Sequence, residues 1–280
     1  MIKKSILYLL SFIVISSCSR NTGTNNNDPG HRMLLIGNSF FKPYANHLDD
    51  VAAEAGYRNH NSTRVFRGGE NGWAISFWND STSNSHQEIK AAFDAGGIEY
   101  FGMTSGSSPD NRTEGFSEWI QYGLKENPDM KVFISIPPID FPTNWTDTSQ
   151  HYGFSSIESF YYYFVNTVIH KTVVDPLRAE FPNTTIFTIP TGWAAIDLLK
   201  MKQDGLLLDS IALSGPSTTS LFTDAKGHQG QIIVEAGTLM WMKGIYREDL
   251  GTNSYSTGFN TDLHALADEI MNEHDPLYNQ

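Results

Sequence analysis

Apolar positions along this chain fall into two rhythms. Short, nearly continuous apolar runs recur at Arg32–Ile36, Thr63–Phe66, Glu99–Met103, Lys131–Ile136 and Thr185–Ile189. Runs of that length and continuity predict strands buried on both faces, the habit of a parallel sheet. Between them apolar residues return every three or four positions, which predicts helices over Tyr44–Ala55, His86–Ala95, Phe116–Glu126 and Ser156–Glu180. Gly56, the Gly96-Gly97 pair, Asn127-Pro128 and Phe181-Pro182 close these segments. The same spacing predicts two further helices, Gln229–Tyr246 and Thr261–Glu273. No segment repeats another.

Strands alternating with helices imply βαβ units and an α/β fold. Five parallel strands with helices on both faces form a three-layer sandwich. In the flavodoxin-like order 2-1-3-4-5 its switch point lies between the first and third strands. The loops that begin at Gly37 and Thr104 would then face each other, and ligand chemistry is expected there.

Composition narrows the class. With 280 residues, 40% of them hydrophobic, the chain can bury one sizeable core, which excludes disorder, collagen-like structure and a disulfide scaffold. Nineteen Lys and Arg against 31 Asp and Glu give a charge of −12, so a phosphate backbone is repelled and nucleic acid is not an expected partner. Near the start, Lys3 and Lys4 precede an apolar run, Ile6–Ile15, that is too short to span a bilayer. It reads as a signal peptide over residues 1–17. Ser16-Ser17-Cys18 resembles a bacterial lipoprotein cleavage box, which implies acylation of Cys18, the only cysteine, and a lipid anchor in the cell envelope, on the outer membrane or facing the periplasm. Residues 18–30, rich in Asn, Thr and Gly, read as a flexible tether, and the folded domain is expected over 31–280.

Two stretches carry candidate chemistry. Gly37-Asn38-Ser39-Phe40 places a serine just past the first strand, where a following helix offers exposed N–H groups. Such a serine attacks a carbonyl if a histidine takes its proton, or it simply caps the helix. Downstream, the loop Asp224-Ala-Lys-Gly227-His228 carries a carboxylate that can orient an imidazole as general base.

Taken together, these stretches resemble the SGNH (GDSL-like) hydrolase superfamily over most of residues 33 to 246. Gly37-Asn38-Ser39 looks like its first block, in the Gly-Asn-Ser variant seen in members from bacterial polysaccharide-degrading systems. The resemblance implies Ser39 as nucleophile and Asp224 and His228 as its partners. The family places this Asp three residues before the His; here the spacing is four, so either the loop absorbs one residue or another acid such as Asp209 takes the role. For the oxyanion hole the resemblance implies the Ser39 amide and a glycine after the second strand, Gly72 first and Gly69 second. The family's Gly-x-Asn block has no counterpart. Thr104 or Ser105 is the substitute donor, or Asn111 from the same loop.

The expected function is a serine esterase that removes O-acyl groups, acetyl above all, from a carbohydrate, with no metal and no cofactor. A glycan-binding surface lipoprotein that has lost the chemistry is the alternative. Loops Thr104–Gly115 and Pro137–Ser155, the latter with Trp145, His151, Tyr152 and Phe154, would shape substrate access. Trp73, Trp78 and Trp193 fall near strand ends, as sugar platforms or as pocket wall. The Phe160–Phe164 aromatic cluster and His170 read as helix packing, and His264, Asp268 and His274 lack a metal-ligand spacing. No zinc-protease helix, P-loop or dinucleotide fingerprint is present in the sequence.

Overall fold

A computed structural model describes residues 29–106, 108 and 110–280. The expectations for the signal peptide, for Cys18 and for most of the tether lie outside the described residues. The elements follow in order: β1 (Arg32–Gly37), α1 (Lys42–Glu54), β2 (Asn61–Phe66), α2 (Ala74–Asn79), α3 (Asn84–Asp94), β3 (Tyr100–Thr104), α4 (Phe116–Gly123), β4 (Lys131–Ser135) and α5 (Trp145–His151). The second half comprises α6 (Ile157–Tyr163), α7 (Asp175–Glu180), β5 (Ile186–Ile189), α8 (Gly192–Gln203), β6 (Ala212–Ser214), β7 (Ser220–Phe222), α9 (Gln231–Trp241) and α10 (Leu263–Glu273).

The five principal strands form one parallel sheet in the order β2-β1-β3-β4-β5, the flavodoxin-like order expected above. Met33 to Ile36 in β1 and Tyr100 to Thr104 in β3 are buried without alternation, so both faces of the sheet are covered. Edge strand β2 is more polar, with only Val65 buried. Each strand end lies within two residues of its predicted place.

The structure adds α2 and the β6–β7 pair to the predicted elements, and three further regions differ from the sequence expectation, each for a physical reason. The Ser156–Glu180 segment is one continuous helical run, but between α6 and α7 it widens into π-turns over Phe164–Val174. The widening ends just before Pro176, which has no N–H to give to an α-turn. Within the Pro137–Ser155 loop, α5 forms despite poor helix formers because Trp145 anchors it: the indole is buried against Phe222, ring centroids 5.8 Å apart, and Nε1 donates to the Ile139 carbonyl at 2.8 Å. Helix α8 shows no stripe because its buried residues Ala194, Ala195 and Ile196 run consecutively.

Strands β6 and β7 make a small parallel sheet of their own. An antiparallel bridge from Phe222 to Gln229 then folds the chain back and leads into α9. That pin closes the Asp224–His228 loop. Helices α1 and α9 pack directly on each other, so the segments that precede them, which hold Ser39 and His228, are carried to the same end of the sheet.

Candidate active site

Ser39 occupies a turn between β1 and α1. The turn is set by its neighbour: Asn38 accepts from the Phe40 and Phe41 amides through Oδ1, at 3.0 and 3.3 Å, and its carbonyl accepts from Phe41 and Lys42. Asn38 therefore does the work of a cap, and Pro43 fixes the backbone of the first helical turn. The Ser39 hydroxyl is left for another partner.

That partner is His228. Its Nε2 lies 2.7 Å from Ser39 Oγ, and its Nδ1 lies 2.5 Å from Asp224 Oδ2. A carboxylate only accepts, so the ring proton sits on Nδ1 and the Nε2 lone pair faces the serine O–H. The hydrogen bond from His228 holds the Asp224 carboxyl below its usual range, helped by the backbone amides of His228 and Gly227. Phe40 stacks on the imidazole, centroids 4.7 Å apart, which fixes the ring plane.

The four-residue Asp–His spacing is absorbed locally. Asp224 to Gly227 close a turn, with the Gly227 amide donating to the Asp224 carbonyl at 3.2 Å. Gly227 has a φ of +98°, a conformation in which a side chain would be strained. Asp209 is elsewhere: its carboxylate accepts from the backbone and side chains of Asn260 and Thr261.

A buried tie that sequence reasoning missed joins the two halves of the site. Gln229, next to His228 and 4% exposed, donates through Nε2 to the Phe40 carbonyl at 2.9 Å and meets the Tyr44 hydroxyl at 3.2 Å. A polar residue heading an apolar helix was the only trace of it in the sequence.

Gly72 is buried in a short 3₁₀ turn after β2, packed onto the nucleophile turn. A Cβ there would lie 2.7 Å from the Asn38 Cα and from the Gly37 carbonyl, so only glycine fits. Gly69 is more open and lines the adjoining cavity. That cavity, of about 360 Å³, opens beside Asn38 and Phe40 and is walled by Trp73, Ser105, Ile139 and Lys226 among others. Of the third-loop candidates, Ser105 reaches the cavity wall. Thr104 is buried with its hydroxyl toward the Ser105 carbonyl at 3.4 Å, and exposed Asn111 accepts from Thr113 within its own loop. Lys226, on the base loop, pairs with Asp140 at 3.5 Å across the cavity lip.

The tryptophans divide. Trp73 is cavity wall, while Trp78 packs on Trp119 and Trp193 on Tyr161. Elsewhere His170 and His274 share the Thr188 hydroxyl at 3.0 and 2.9 Å inside the core. His264 meets Asn253, and Asp268 pairs with Lys243. Among the described residues no group of three or more His, Cys, Asp or Glu is placed to hold a metal, and no helix is long and apolar enough to cross a membrane.

The chain matches no protein-family profile and no curated protein. Among solved structures, the periplasmic domain of the lipopolysaccharide acetyltransferase of Salmonella ser. Paratyphi A is similar over 58% of this chain and 67% of that one, at 13% identity and a TM-score of 0.35. A likeness at that level carries no weight for chemistry, which rests on the residues of this chain.

Proposed function

We propose that the protein is a serine esterase, of the SGNH type that its sequence resembles, which removes O-acyl groups, acetyl above all, from a carbohydrate. The observation that carries the reading is the relay Ser39 Oγ to His228 Nε2 to Asp224, at 2.7 and 2.5 Å. His228 takes the hydroxyl proton as Ser39 Oγ bonds to the ester carbonyl carbon, and the Ser39 and Gly72 amides hold the resulting oxyanion. The imidazolium passes its proton to the leaving sugar oxygen as that C–O bond breaks. His228 then deprotonates a water that attacks the acyl-serine, releasing the acid and restoring Ser39. None of these steps calls on a metal or organic cofactor. With lipid anchoring through Cys18, the enzyme would work on glycans of the cell envelope or its surroundings.

A second reading, a glycan-binding lipoprotein without catalysis, is favoured by one observation: Asn111, the only asparagine of the loop after β3, is exposed and accepts from Thr113 within its own loop. Loss of one oxyanion donor typically raises a barrier by roughly 2.7–4 kcal/mol, which slows an esterase without abolishing it. A fluorophosphonate probe on the purified protein separates the two readings. The expected result is covalent labelling of the wild type and none of Ser39→Ala. No labelling of the wild type, or labelling that survives the substitution, would remove the esterase reading.

A further inference from the structure

Phe141 is an outlier in two respects. Its backbone sits in the left-handed region, φ 58° and ψ 68°, one of only two non-glycine residues with positive φ among those described. Its ring is 49% exposed and makes no aromatic contact among the described residues. A bulky residue in that conformation is normally selected against, and such strain persists only where the surroundings enforce it. They do so here by docking the segment after β4 onto the base loop. The Phe141 amide donates to the Lys226 carbonyl at 2.8 Å, two residues from His228, and Pro142 fills the space beside Gly227. The strained residue thus holds an exposed ring without an aromatic partner among the described residues, one position beyond Asp140, the last residue of this segment to line the cavity, and bonded through its amide to Lys226, which lines it too.

The rest of the segment continues the theme. Tyr152, 61% exposed, stacks on Phe160 at 4.9 Å with planes 7° apart, and Tyr163, 41% exposed, lies against Phe154. Both ends of this stretch return to the same cavity, through Pro137–Asp140 and through Phe164. The chemistry of the surface is selective. From Val132 to His170 there is no Lys or Arg, while Asp140, Asp147 and Glu158 are acidic. The stretch itself therefore offers no cation to an anionic polymer or membrane, the cavity beside it balances Lys226 and Arg112 against Asp140 and Glu70, and the large exposed apolar groups of this stretch are flat rings and not aliphatic chains. Rings with one open face beside hydroxyls suit the C–H face of an uncharged sugar.

We propose that Phe141 is the sugar-stacking platform of the candidate active site, placing one pyranose ring of an uncharged O-acylated glycan beside Ser39, and that the Tyr152–Tyr163 corner extends the track for longer chains. The inference rests on the esterase reading for its placement next to the nucleophile, but it concerns binding and is testable apart from turnover.

The decisive variant is Phe141→Gly, because glycine removes the ring and suits the left-handed backbone. Affinity is measured by calorimetry on the Ser39→Ala background with a panel of neutral oligosaccharides headed by acetylated xylohexaose. Turnover is measured on the same glycan and on p-nitrophenyl acetate in the otherwise wild-type protein. The expected result is glycan affinity reduced about tenfold, the scale of one lost aromatic contact. The ratio of glycan to small-ester turnover should fall by a similar factor, and the melting temperature should be unchanged or raised. Glycan affinity that survives the substitution overturns the proposal. So does a fall in melting temperature with equal losses on both substrates, which would make the ring structural. Failure of the Ser39→Ala protein to bind any glycan of the panel overturns it too, as does binding to phosphatidylglycerol vesicles that Phe141→Gly abolishes. If the wild type turns over neither substrate yet glycan binding is lost in Phe141→Gly, the esterase reading fails and the platform stands.

Discussion

Two places among the described residues set an imidazole against a serine or threonine hydroxyl, and they have opposite characters. At the end of β1, His228 faces Ser39 from a half-exposed loop, with a carboxylate behind it and a cavity beside it. Inside the core, His170 and His274 both address Thr188 of β5, and among the described residues no carboxylate hydrogen-bonds to either ring. Burial, aided by the neighbouring His274, pushes His170 down to about 3, and burial pushes His274 down to about 4. Those rings stay neutral at any ordinary pH and serve as hydrogen-bonding filler. The difference is that at Ser39 a carboxylate fixes the imidazole tautomer and leaves Nε2 facing the hydroxyl, whereas at Thr188 no hydrogen-bonded carboxylate backs either ring among the described residues.

The sharpest way to break this contrast is to remove each ring's function in turn. His228→Asn is expected to lower kcat for an ester by roughly 10⁴-fold or more, and Asp224→Asn, which removes only the orienting acceptor, by roughly 10²–10⁴-fold. Thr188→Val, which cuts the core hydroxyl from both its imidazoles, should leave kcat unchanged while lowering stability. Steady-state kinetics on the three variants, with melting curves, checks both halves.

Acid should separate the two sites by a different route. The unfolded chain takes up protons on its histidines near pH 6.5, whereas the core pair refuses them down to about pH 4, so stability is intact above that window and falls as pH drops through it. Each histidine contributes about 1.4 kcal/mol per pH unit where the two states differ by a full proton. Asp197 opposes this. Burial first, then Glu273 and Glu269, raise it to about 7, so it holds a proton in the native state that the unfolded chain has lost. The net expectation is a loss of roughly 3 kcal/mol between pH 6.5 and 4 by urea unfolding. His274→Gln should remove one histidine's share of that slope and leave ester turnover at neutral pH unchanged.

A smaller effect tests the tie that aligns the candidate triad. Gln229→Leu keeps the buried volume but frees the Phe40 carbonyl and the Tyr44 hydroxyl. The expected result is a fall of roughly 10–10²-fold in kcat, the scale of a displacement of about 1 Å, with KM little changed. A proportional change in both constants would mean that Gln229 shapes binding instead.

Much of this was readable from residues alone. The continuous apolar runs located the five strands because parallel strands bury both faces, while the order 2-1-3-4-5 came from the flavodoxin-like pattern that alternating strands and helices suggest, and it matches the sheet observed. The Ser39 turn and the Asp224–His228 loop were readable because each couples a chemical residue to a strand end or a turn, and the geometry brings those three side chains together. What escaped depended on distant partners. Helix α5 exists because Trp145 finds Phe222, and Gln229 matters because Phe40 lies opposite; neither fact is local. Phe141 looked like any loop aromatic until its backbone conformation was known.

The turn at residue 39 follows the first strand, whereas the base at 228 enters after all five strands have been laid down. No fragment that ends before residue 228 can hold the pair together. Reactivity toward a serine probe is thereby a report on the completeness of the whole architecture. A nascent chain cut short before residue 228 lacks the imidazole that Ser39 meets in the complete fold, and so cannot form the pair.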